Sequence, residues 1–129
     1  MSTSASSRAP PAVPPAAPLE AARQHIEAGS LGEVFRGSQF YHGVHPTALC
    51  GVFGAAAAAG VAIGLDRDAM VRAFGVAGTQ ASGLTEWRAD GSWIKRLHPG
   101  KAAHSGVLAA RLAREGFTGS TAMLDGSTG

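Results

Sequence analysis

The sequence predicts a mainly α-helical protein, and three stretches lead to that expectation. Residues 48–65, ALCGVFGAAAAAGVAIGL, carry no charge and present no polar face. Residues 67–77 place Met70, Val71 and Phe74 at helical spacing behind Asp66, a residue type that caps helix starts. Residues 99–114 lie between Pro99 and Gly116, residue types that open and close helices.

The elements follow in order. Residues 1–18 hold five of the seven prolines and a single charge, Arg8. A signal peptide needs a continuous apolar run, which these prolines interrupt, so the segment is expected to be a disordered, partly polyproline tail. The domain is expected to run from residue 19 to 129. Its first helix is predicted over 19–29, where Leu19, Ala22 and Ile26 share a face and Gly29 ends it. Residues 30–43 are Gly-punctuated and weakly periodic.

Pro46 pushes His45 out of the α region and suits the first turn of the helix that follows. That helix, 46–63, is apolar all round and is therefore expected to be buried on all sides. Its eighteen uncharged residues reach the ~18 that a membrane span requires. Ala and Gly supply little of the transfer energy, so a buried helix is expected instead. After 67–77, residues 78–87 are read as a Gly-interrupted helical stretch. Residues 88–93 are read as a loop around Asp90-Gly91. The last helix is placed at 99–114, and residues 118–129 show no element.

Composition narrows the function. The net charge of +2 and the 6% aromatic content argue against nucleic acid and against an anionic membrane surface. Cys50 is the only cysteine, so no internal disulfide or cysteine metal cluster can form. A cytoplasmic location fits that usage. No HExxH or similar metal signature and no phosphate loop occurs, so neither a metal nor another cofactor is expected.

Against this quiet background, WIKRLHPGKAAHSG (93–106) stands out. It holds both lysines of the chain, Lys95 and Lys101, together with Arg96, His98 and His104. With a helix starting at Pro99, Lys95, Arg96 and His98 would lie in the loop at its positive end. Cations there cost free energy unless an anion neutralises them, which favours an anion site over a random surface patch. Lys101 reads as an exposed helix lysine. His104 shares a face with Leu108 and Leu112 and reads as a core or boundary histidine as readily as a ligand-binding one.

The segments GVHPTALCGVFGAAAAAGVAIGLD and GVAGTQASGLTEWRADGSWIKRLHPGKAAHSGVLAARLAREGFTGSTAMLDG closely resemble the MmgE/PrpD family, over residues 31–126. That family includes 2-methylcitrate dehydratase and cis-aconitate decarboxylase. The resemblance implies part of the family's all-helical large domain, with the smaller lid domain absent from this chain. It implies lyase or isomerase chemistry on a small di- or tricarboxylate, without a cofactor, in homodimers. It carries two catalytic positions over: His45 in the HPT segment and Lys95 in the K-RLHPG segment. Arg96, His98 and His104 are the expected substrate-binding residues.

The chemistry agrees with that transfer. Such a reaction needs a group that titrates near neutrality and cations that hold carboxylates. His45 is assigned as general acid/base and Lys95 as carboxylate anchor or proton donor, with the roles exchangeable. The family's members are several times longer, so this chain is expected to hold about half of the site and to be weakly active or inactive alone. Completion by a partner chain or by dimerisation is one expectation. A non-catalytic truncated paralogue, or interaction module, is the alternative.

Overall fold

A computed structural model describes residues 42–124 and 126–127. The expected tail (1–18) and the expected first helix (19–29) lie outside the described residues. The described residues form four helices: α1 Pro46–Ala62, α2 Arg67–Gly78, α3 Trp87–Asp90 and α4 Ile94–Arg114. Among the described residues the extended structure is limited to one antiparallel bridge, Val44 with Leu84.

α1 begins where its proline allows. His45 is extended, with φ −82° and ψ 118°, and Pro46 takes the first helical position. α2 begins at a side-chain cap, Asp66 Oδ1 accepting from the Ala69 N–H at 2.7 Å. Such a cap supplies about 1 kcal/mol. α3 is a single turn, ended by Gly91 in the left-handed region at φ 69°. Among the described residues no helix is long and apolar enough to cross a membrane.

Four expectations are corrected. Residues 79–86 are not helical, and the loop expected over 88–93 instead begins with the single helical turn of α3. After α2 the chain turns and runs extended to pair Leu84 with Val44. Gly83, at φ +142°, takes a conformation that interrupts any helix there. The last helix starts at Ile94 rather than Pro99, so Lys95, Arg96 and His98 lie within its first two turns and not in a preceding loop. A proline in the second turn removes one backbone hydrogen bond, to the Lys95 carbonyl, and a helix of 21 residues absorbs that loss. Finally, α1 is not buried on every side. Its buried line is Ala48, Val52, Ala56, Ala57 and Gly60, and Ala58 and Ala62 are exposed. Among the described residues, α2 and α4 are the helices packed on it.

The core is built from small residues. Val52, Ala56, Val76, Ala77, Ala102 and Ala109 form its centre, with Phe53, Phe74, Ala81 and Leu112 packed around them. α1 and α4 approach closely. A Cβ on Gly106 would collide with Ala55 and the Ala56 backbone, and one on Gly51 would lie 3.2 Å from the Ala102 methyl. The C-terminal segment crosses α2 in the same way, with Gly119 and Ser120 against Gly75. This approach selects which residues of α4 are buried: His98, Ala102, Ser105, Gly106, Ala109, Ala110 and Ala113. The larger Leu97 and Leu108 face out, at 64% and 40% exposure.

Candidate functional site

The site forms where the start of α1 meets the start of α4. The bridge between Val44 and Leu84 fixes the entry to α1. The His45 N–H donates to the Gly83 carbonyl at 2.8 Å, and the Thr85 N–H donates to the Gly43 carbonyl at 2.9 Å. His45 is thereby clamped between its own helix and the 83–85 segment. Its carbonyl accepts from the Ala48 and Leu49 N–H groups, which leaves the imidazole to point toward α4.

There it meets His98. The two Nδ1 atoms are 2.9 Å apart, within hydrogen-bonding distance. The rings are tilted by 42°, with centroids 5.0 Å apart. Both histidines are buried, at 7% and 6% exposure. Gly83 makes room for this pair. A Cβ there would overlap the Ala48 methyl and sit 3.3 Å from both Cε1 and Nδ1 of His98.

Trp87 of α3 packs its ring edge-on to His45, with centroids 5.8 Å apart. The Lys95 ammonium lies 4.9 Å from the same indole ring's centroid. Burial, then the charges of His98 and Lys95, hold His45 below its ordinary value of 6.5. Each of these makes an added positive charge on His45 costlier.

Beside this group lies an open hollow of about 490 Å³, lined by Trp87, Arg88, Trp93, Lys95 and Arg96 among others. The Arg96 guanidinium stacks over Trp93 at 5.0 Å. Lys95 and Arg96 stand in the first turn of α4, which contains no acid. A cation there costs about 0.3–1 kcal/mol against the helix dipole. An exposed cation–π contact returns about 0.5–1 kcal/mol. The two terms offset, so the indoles make this crowding of positive charge tolerable without a carboxylate.

The structure thus brings together His45, Lys95 and His98, with Arg96 on the wall of the adjoining hollow. His104 is not gathered into the group. It is exposed, and it lies six residues along α4 from His98 on a face that turns away from the buried line. The expectation of a core or boundary position for it is corrected by that exposure. Lys101 reaches along the helix to donate to the buried Ser105 hydroxyl. Trp87 and Gly83 were not singled out by sequence. Trp87 sits in the TEWRADGSW run that precedes Lys95, and nothing local shows that its ring faces a histidine 42 residues upstream. Burial pushes the Cys50 thiol above its ordinary value, which disfavours the thiolate. Among the described residues no three His, Cys, Asp or Glu side chains stand together as a metal-binding group.

Residues 20–129 match the MmgE/PrpD N-terminal domain. The chain belongs to the MmgE/PrpD family. Over 100 residues it is 36% identical to the cis-aconitate decarboxylase of Aspergillus terreus, an alignment that covers 77% of this chain and 20% of that protein. Over 87 residues it is 38% identical to the cis-aconitate decarboxylase-like protein oryM of Aspergillus oryzae, covering 67% of this chain and 18% of that one. The chain therefore spans about a fifth of the length of the curated relatives it matches. The helices described above are the architecture of this family's N-terminal domain region as it stands in this chain.

Proposed function

We propose that this MmgE/PrpD chain carries the proton-handling and carboxylate-holding wall of a lyase site for a small di- or tricarboxylate. One observation carries the proposal: a buried imidazole pair, His45 and His98, beside the Lys95 cation, at a helix start that contains no acid. Loss of CO2 from such a substrate leaves an electron pair on carbon that a proton must capture. Loss of water needs a C–H proton removed and a hydroxyl protonated. Either reaction needs a group that exchanges a proton near neutrality and cations that hold the remaining carboxylates. His45 is suited to the first task, and Lys95, with Arg96 behind it, to the second.

The relatives' names favour cis-aconitate as the substrate to try first, and the wider family makes 2-methylcitrate the second. The substrate's remaining contacts are proposed to come from protein beyond this wall, with a second copy or a completing partner as sources.

The test is a lyase assay on the purified chain with each acid, read as CO2 release or alkene formation, with size-exclusion chromatography alongside. Activity that drops by about 10²-fold or more in His45→Ala and in Lys95→Ala supports the proposal. A folded chain that turns over neither acid refutes catalysis by this chain alone and favours a binding role.

A further inference from the structure

The contact between the two Nδ1 atoms, at 2.9 Å, restricts where protons sit. Hydrogens on both atoms would repel, and hydrogens on neither would set two lone pairs face to face. A neutral imidazole has one N–H, so two arrangements satisfy the contact: either His98 donates to His45, or His45 donates to His98.

Only the second is compatible with a proton moving on and off His45. If His98 donates, the single proton of His45 is on Nε2. Releasing it would leave an imidazolate, and gaining another at Nδ1 would break the contact. If His45 donates, its Nε2 lone pair accepts a proton, and the imidazolium that forms still donates from Nδ1 to His98. That bond strengthens as it becomes charge-assisted. The step makes one N–H bond at Nε2 and breaks it when the proton leaves, with no other bond changed.

We propose that His98 is a positioning residue that fixes His45 as its Nδ1–H tautomer, with its own proton on Nε2, so that the pair passes between neutral and singly charged through His45 Nε2. His98 then acts through His45 and not as the substrate contact expected from the sequence. The surroundings suit this. His98 is held in the body of α4 and its ring is packed against Gly83, so the acceptor cannot swing away. Among the described residues, His98 and Lys95 of α4 are charged or titratable groups that act on His45, and α3 faces it with the Trp87 indole. The Lys95 charge opposes a second positive charge on the pair.

The inference rests on the reading of His45 as the proton-exchanging group, yet its test needs no turnover. Imidazole ¹⁵N spectra of the full chain report which nitrogen bears each proton. The expected result is Nδ1–H at His45 and Nε2–H at His98, with the pair taking up a single proton as pH falls. In His98→Asn, the amide oxygen still accepts and the His45 tautomer persists. In His98→Leu it reverts to the Nε2–H form that free imidazole prefers. An Nε2–H tautomer at His45 in the wild type, or two independent protonations in the folded chain, overturns the proposal. Should His98→Leu not fold, the wild-type and His98→Asn spectra decide. Correct tautomers in a chain without lyase activity would leave this pairing standing and count against the functional reading alone.

Discussion

His45 shows how a single residue is fixed from two directions. Pro46 holds it in extended backbone, and the Gly83 carbonyl takes its N–H. Its position was legible in the sequence, because a pre-proline residue at a helix start has few conformations open to it. Its partner was not, since His98 lies 53 residues away and no local pattern records that distance. Burial and the neighbouring charges lower the affinity of the folded state for a proton at His45. As pH falls below 6.5, the ordinary value, the unfolded chain therefore takes up that proton before the folded one does. The contribution to stability is whole above that pH and is lost on the way down toward the lowered folded value. The urea midpoint should thus fall as pH drops through 6.5, and His45→Asn should flatten that slope. A slope unchanged in the variant would assign the dependence to other groups. Gly83 belongs to the same scale. Its role in seating His98 shows only when the close approach and the φ of +142° are seen together.

At the scale of elements, α4 carries the lesson. Its existence and its end were legible, but its start and its buried face were not. Proline is common at first helical positions, which drew the predicted start to Pro99. The helix tolerates that proline one turn in and begins at Ile94, and this places Lys95 and Arg96 on the helix itself. The face was misjudged because large apolar residues normally mark the core. Here Gly106 lets α1 approach so closely that only small side chains fit between the helices, and Leu97 and Leu108 are left outside. Two glycines of α4 test this. Gly100 has nothing near its missing Cβ, so Gly100→Ala should raise stability by about 0.5–1 kcal/mol through helix propensity. Gly106→Ala gains the same propensity but drives a methyl into Ala55 and the Ala56 backbone. Overpacking of this kind costs about 1–3 kcal/mol, so the net effect should be a loss. Thermal unfolding followed by circular dichroism gives both signs, and a stabilising Gly106→Ala would contradict the close α1–α4 approach.

For the whole molecule, the mainly helical class was legible from uncharged and helically spaced stretches, and the family from the HPT and RLHPG segments. The Val44–Leu84 bridge was not, because a two-residue pairing leaves no periodic trace. Apolar surface remains exposed around the site, with Trp93 at 78% and Leu84 at 70%. Clusters of that kind are a common mark of surfaces that meet other protein. The chain spans about a fifth of the length of its curated relatives. On the proposed function, His45, His98, Trp87 and Lys95 together recognise a polycarboxylate. That recognition is tested most directly by titrating the full chain with cis-aconitate while following the imidazole and indole NMR signals. Binding there should give saturable shifts at His45, His98 and Trp87 that disappear in Lys95→Ala, with His42 and His104 moving no more than they do in sodium chloride of equal ionic strength. Shifts that never saturate, or that are as large at His42 and His104 as at the pair, would contradict it.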